Sequence, residues 1–156
     1  MSAHNASENN RVDEFVTMTI GGQLFGLPIR QVHDVFMPGR MTKVPLAPLE
    51  IAGILNLRGR IVTVIDMRCR LGLPKRQDGE ESMAVGIDCD GESYGLLVDA
   101  VSEVLRLADD NCQPTPANLD RRLAGVAAGV HRLGDQLLVV LDVARLLDMH
   151  FDAMAA

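Results

Sequence analysis

The chain has 156 residues, enough for one domain or two small ones sharing a core, and a chain of this size buries about 70% of the surface that its unfolded form exposes. Its 47% hydrophobic content can build that core, whereas its net charge of −6 and 3% aromatic content disfavour a phosphate-binding face or a base-stacking platform. No apolar run reaches the roughly 18–20 residues needed to span a bilayer. Nor does Met1 to Asn10 have the basic and apolar regions of a signal peptide. Cys69, Cys89 and Cys112 form no CxxC pair and read as reduced thiols of a cytoplasmic protein.

In chain order, Met1 to Val12 reads as a tail. Val16, Met18 and Ile20 then alternate with Phe15, Thr17 and Thr19, which is strand periodicity. Gly21-Gly22 is a hairpin turn signal, and a strand over about Leu24 to Ile29 returns from it. Ile54 to Leu57 and Ile61 to Ile65 flank a turn at Arg58-Gly59. Asp66 caps a short helix from Met67 to Leu71, stopped by Gly72 and Pro74.

The second half repeats this grammar. Met83 to Cys89 alternates, Asp90-Gly91 turns, and Ser93 to Val98 returns. Asp109 to Asn118 is the longest turn-rich loop. Val130 to Leu133 and Leu137 to Leu141 flank Gly134-Asp135, and Asp142 caps Val143 to Leu147. Residues Phe151 to Ala156 read as a second tail.

The repetition is residue by residue. Gly22 to Val35 aligns with Gly91 to Val104 at an offset of 91 − 22 = 69, with Gly26/Gly95, Leu27/Leu96, Val32/Val101 and Val35/Val104 identical. Ala52 to Leu71 aligns with Ala128 to Leu147 at 142 − 66 = 76, matching Gly53/Gly129, Leu57/Leu133 and Asp66/Asp142. A duplicated unit with one longer loop accounts for both. The expected fold is mainly β. Two pseudo-repeated five-stranded barrel halves, about residues 14–72 and 82–148, pack together within a single domain of residues 13–150, each followed by a short helix. A five-stranded unit of about 60 residues is marginal alone, so the halves should share an apolar interface.

Charge is unevenly spread. Between Asn56 and Arg76 six basic residues face Asp66 alone, and between Asp78 and Asp110 ten acids face Arg106 alone. Solvated faces and steering of charged partners are both open readings.

Catalytic patterns are missing: there is no GxSxG, HExxH, Walker loop or GxGxxG, and His4, His33, His131 and His150 lack metal-ligand spacing. His33 and His131, at a turn or strand edge, read as surface or satisfied histidines. The chain is therefore expected to bind other proteins and not to be an enzyme, with no cofactor and no metal.

Functional residues should stand where the halves differ within a shared frame. At the second hairpin the first half reads Asn56-Leu57-Arg58-Gly59-Arg60 where the second half reads His131-Arg132-Leu133-Gly134-Asp135, an ordinary polar turn. A tight turn does not call for Arg58, and a guanidinium offers a planar donor fork suited to anchoring a carboxylate or a protein interface. From spacing alone Arg58 is a surface charge or such an anchor.

The block from Gly53 to Arg68, GILNLRGRIVTVIDMR, resembles the signature of CheW-type chemotaxis coupling proteins, roughly G-x-x-N-L-R-G-x-I-V-P-V-I-D-L-R. Phe25 to Ile29, Val32 to Val35, Val98 to Val104 and the Pro114/Pro116 loop resemble further family segments, so the likeness covers about Glu14 to Asp148. Thr63 stands for the usual Pro and should be harmless, because it restores a backbone donor. Asp34 stands for the usual Glu and is one methylene shorter.

The resemblance implies SH3-like barrels in a cytoplasmic, non-catalytic scaffold recruited to membrane-associated receptor arrays. Such a scaffold couples the cytoplasmic tip of chemoreceptors (methyl-accepting chemotaxis proteins) to the regulatory domain of the histidine kinase CheA, with other CheW copies as further partners in rings. It implies Asn56, Arg58 and Gly59 as anchors, Arg58 paired with Asp34, and a receptor groove lined by Ile29, Val32, Val35 and Val98. An adaptor of a non-chemotaxis kinase pathway (pili, development) and a small-ligand or oligonucleotide-binding barrel are the alternatives.

Overall fold

The computed structural model describes residues 12–77, 79–108 and 111–148. The two expected tails lie outside these residues except for Val12, as do Asp109 and Asp110 of the turn-rich loop. Eleven strands are described: β1 (Val12–Ile20), β2 (Gln23–Pro28), β3 (Val32–Phe36), β4 (Ile51–Leu57), β5 (Arg60–Asp66), β6 (Met83–Cys89), β7 (Glu92–Val98), β8 (Ala100–Ala108), β9 (Cys112–Gln113), β10 (Ala127–Leu133) and β11 (Gln136–Leu141). Three short helices accompany them: α1 (Met67–Arg70), α2 (Arg121–Val126) and α3 (Val143–Leu146).

The tight turns form where the sequence places them. Gly21 and Gly22 have φ of +57° and +84°, and Asp90 and Gly91 have +52° and +80°. Positive φ at both central residues is the turn geometry that matches the twist of hairpin strands. Asp66 caps α1, its Oδ1 accepting from the Arg68 N–H at 3.0 Å, and Asp142 caps α3 through the Arg145 N–H at 3.2 Å. Arg70 reaches from α1 to the far end of α3, where its Nε donates to the Leu146 carbonyl at 2.9 Å. Helix α2 carries no sequence signal strong enough to anticipate it. Asp120 caps it, Val126 is its buried residue, and Arg122 ties it back to the Gly72 carbonyl at 3.0 Å.

The mainly β architecture is as expected, in two sheets. The first has the order β8-β1-β2-β11-β10-β9 and the second β3-β6-β7-β5-β4. The sheets do not follow the two contiguous halves of the chain. Hairpin β1–β2 joins the last hairpin, β10–β11, and hairpin β6–β7 joins β3, β4 and β5. The halves have traded their first hairpins. Strand β2 runs parallel to β11, and β7 runs parallel to β5 in the equivalent place. The boundary between residues 14–72 and 82–148 therefore marks the repeat, whereas each sheet is assembled from both copies.

This exchange explains why β1 buries both of its faces. Val16, Met18 and Ile20 point into a core shared by the sheets, where they meet Val85, Ile87, Leu96 and Val98. Phe15 and Thr17 point the other way, into the curl of their own sheet, and are buried as well. Phe15 meets His131 there, with ring centroids 5.5 Å apart. His131 thus lies in mid-strand and is buried, not at a strand edge. The second sheet curls around a smaller cluster of Leu55, Val62, Val64 and Leu97, with Phe36 packed against it.

Gly53 and Gly129 hold equivalent positions where another segment crosses closely. A Cβ on Gly53 would stand 2.8 Å from the Thr42 carbonyl oxygen, and one on Gly129 would stand 2.9 Å from that of Gln113. Thr42 bridges to Ile54 and Gln113 pairs with Val130, so each glycine admits a short outer segment to its sheet. Replacing either by Ala forces backbone apart. We expect Gly53→Ala and Gly129→Ala each to cost about 1–3 kcal/mol in urea unfolding; unchanged midpoints would show that the outer segments yield freely.

Candidate functional site

The site is built from the residue types at one turn and one edge strand. Arg58 and Gly59 connect β4 to β5 with φ of +54° and +84°. Arg58 thus holds a left-handed conformation that disfavours a residue bearing a Cβ. At the equivalent place in the repeat Gly134 has φ of +58°, with no such penalty. Asn56 braces the turn, its Oδ1 accepting from the Gly59 N–H at 2.9 Å.

Arg58 extends toward β3, the opposite edge of the same sheet, and its Nη1 lies 3.4 Å from Asp34 Oδ2. The curl of the sheet brings its two edges this close. The Arg58 side chain is 76% exposed and that of Asp34 20%, so the guanidinium stands at an open mouth with the carboxylate set into it. An ion pair this exposed contributes no more than about 1 kcal/mol to folding. It orients Arg58 without consuming all of its donors.

Beside it lies a second polar cluster that sequence reasoning did not single out. Asp88 on β6 takes the Ser93 hydroxyl at 2.9 Å, Arg60 Nη2 at 3.4 Å and His33 Nδ1 at 3.5 Å. An acid in a strand next to a hairpin gives no signal of its own; only the sheet order places it opposite Arg60.

The residues expected to form the site divide. Asn56, Arg58, Gly59 and Asp34 are brought together. Ile29, in a 3-10 turn at the start of the crossing from β2 to β3, and Val35 on β3 are exposed, and Val32 is half-buried against the shared core. Val98 does not belong with them: it is fully buried in that core and cannot line an open groove. The repeat aligns Val98 with Ile29, but β7 continues through Val98 whereas β2 ends at Pro28. The same frame position is core in one copy and surface in the other.

Part of the uneven charge is paired within the fold. Besides Arg60 with Asp88, Arg68 grips Asp99 with two hydrogen bonds of 2.9 Å and contacts Glu80 at 3.2 Å. Arg76 adds a 2.7 Å bond to the same Asp99, and the Gly21 N–H adds another at 2.8 Å. Burial pushes the Asp99 carboxyl up, but bonds from Arg68, Gly21 and Arg76 outweigh it and hold the group down to about 2. The basic stretch and the acidic stretch thus meet in space at Asp88, Glu80 and Asp99.

Burial raises the Cys69 thiol, helped by Asp66 and Glu50, and raises Cys89 with help from Asp90. Neither is an activated thiolate. Among the described residues, no helix is long and apolar enough to cross a membrane.

This arrangement of a braced Arg turn on a two-sheet duplicated fold can be set against known proteins. Residues 14–151 match the family model described as the CheW-like domain. The chain belongs to that family. It is 28% identical over 134 residues to the chemotaxis protein CheW of Klebsiella aerogenes, covering 86% of this chain and 81% of that one. With CheW of Helicobacter pylori it shares 24% identity over 144 residues, 92% of this chain and 87% of the relative. Protein FrzA of Myxococcus xanthus is 28% identical over 132 residues, 83% of this chain and 77% of FrzA. Among solved structures, the scaffolding protein TtCheW of Thermoanaerobacter tengcongensis superposes with a TM-score of 0.80 at 30% identity, covering 90% of this chain and 95% of that one. Family membership and the scaffold fold support an adaptor role over an enzymatic one.

Proposed function

We propose that this CheW-like chain is a non-catalytic adaptor that couples the cytoplasmic tip of chemoreceptors to the regulatory domain of the histidine kinase CheA in signalling arrays at the membrane. The observation that carries the proposal is Arg58, kept in a left-handed turn where Gly134 stands in the other copy and aimed at Asp34. Ile29 and Val35 supply exposed apolar surface on the segment that carries Asp34, as docking of an amphipathic helical tip requires. Other copies of the chain are further partners, because a duplicated fold presents related but unequal faces and so favours head-to-tail contacts.

Co-sedimentation with receptor-bearing membranes and CheA tests the reading: the chain should carry CheA into the pellet in proportion to receptor. A chain that leaves CheA in the supernatant would end it. Charge reversal tests the ion pair itself. Asp34→Arg and Arg58→Asp should each reduce recruitment and the double variant recover part of it; no recovery would count against direct pairing. Similarity to FrzA, 28% identical over 83% of this chain, supports a second reading, an adaptor of another kinase pathway. A pull-down that identifies the receptor and kinase retained by the chain separates the two.

A further inference from the structure

The repeat frame shows that Asp34 cannot be seated by its own strand alone. In the second sheet Asp34 pairs with Gly86 on β6, one residue beyond an irregularity in the register. A Cβ on Gly86 would lie 2.3 Å from Asp34 Oδ1, so the carboxylate occupies the space that a side chain would otherwise fill. The first sheet has the same irregularity between β1 and β8, and there the frame puts Thr17 in place of Gly86 and Glu103 in place of Asp34. Thr17 fills the space and its hydroxyl donates to the Glu103 backbone carbonyl. The Glu103 residue is exposed, whereas the Asp34 side chain is only 20% exposed.

From this contrast we infer that Gly86 is the positioning residue of the anchor: by lacking a side chain it lets the short Asp34 carboxylate fold into the mouth of the curled sheet and hold Arg58 toward the partner. The inference rests on the adaptor reading for its consequence, but not for its geometry. Gly86 has no positive φ to require glycine, and it lies within a strand, where glycine weakens the sheet. The space it leaves is the reason it can be useful there. A Glu at position 34 has one more methylene and can carry its carboxylate past a Cβ, so Asp34 and Gly86 act as a matched pair.

The experiment uses the full chain and a soluble fragment of a chemoreceptor cytoplasmic tip, titrated against the wild type, Gly86→Ala, Asp34→Asn, Gly86→Ala/Asp34→Asn and Gly86→Ala/Asp34→Glu. Thermal unfolding and the NMR resonances of the Arg58 side chain are recorded for each. Gly86→Ala should weaken binding about fivefold, the scale of one interface contact, and shift the Arg58 resonances. In the Asp34→Asn background it should change neither by much, and Asp34→Glu should restore both. Equal loss in both backgrounds, or no rescue by Glu, would make Gly86 a matter of general stability and overturn the inference. Unchanged binding and resonances in Gly86→Ala would overturn it too. If the wild type fails to bind the fragment, the adaptor reading fails on its own. The Arg58 resonances then still decide whether Gly86 seats the pair.

Discussion

Arg58→Asn is expected to leave the fold about as stable as the parent while removing receptor-dependent recruitment of CheA. The turn explains the first half of this result. Asn tolerates a φ near the +54° held by Arg58 far better than a long-chain residue does, and the first central position of a two-residue hairpin turn favours it. Relief of that strain is worth up to about 1 kcal/mol. It offsets the exposed Asp34 pair, which is worth no more than about that. The melting temperature should therefore stay within a few degrees of the parent. Recruitment should fall by tenfold or more, on the order of a lost interface hot spot. An Arg58→Asn chain that is equally stable and equally able to recruit CheA would remove Arg58 from the site. A chain that loses both properties would show that the turn needs Arg58 for folding.

Asp99 carries the second large effect, and it concerns stability. The Arg68 and Arg76 side chains are 15% and 10% exposed, and both converge on Asp99. Asp99→Ala would leave two poorly hydrated guanidiniums without their shared acceptor and the Gly21 N–H without its bond. Breaking such a network costs about 3–5 kcal/mol, a large part of the stability of a domain this size.

Acid should act on the same group in a defined direction. Its folded value of about 2 lies below the ordinary 3.8, so its contribution is fully present above about pH 4 and is lost as pH falls toward 2. Urea unfolding of the wild type and Asp99→Asn at pH 7, 5, 4 and 3 isolates it. The stability gap should be constant near neutrality, at about 2 kcal/mol from the linkage alone, and should narrow below pH 4. A gap that stays constant down to pH 3 would show that the Asp99 charge is not what holds this corner.

Local structure was largely legible in the sequence because turns and caps are local chemistry. Gly21-Gly22, Asp90-Gly91, Asp66 and Asp142 each specify their geometry within three or four residues, and each does so in the structure. The repeat was legible for the same reason. The partition of strands between sheets was not, because no local preference records whether a hairpin pairs with its own half or with the other. The burial of Val98 followed from that partition and could not be read from its alternation. Among the site residues, Arg58 stood out because Gly134 supplied an internal control. Asp88 and Gly86 matter only through strands distant in sequence, and nothing adjacent to them signals it.

The traded hairpins have a consequence for how the chain can be taken apart. A nick in the stretch between Arg76 and Ser82 would cut the chain at its repeat boundary, yet neither fragment would own a complete sheet. The N-terminal piece would lack the β6–β7 pair that separates β3 from β5, and the C-terminal piece would lack the β1–β2 pair that separates β8 from β11. Each should be unfolded alone, and an equimolar mixture should fold by mutual completion, as two strangers' hands clasp. The first sheet also has to bring β2 to β11 across most of the chain before it can close, so folding should be slow for a chain of this size.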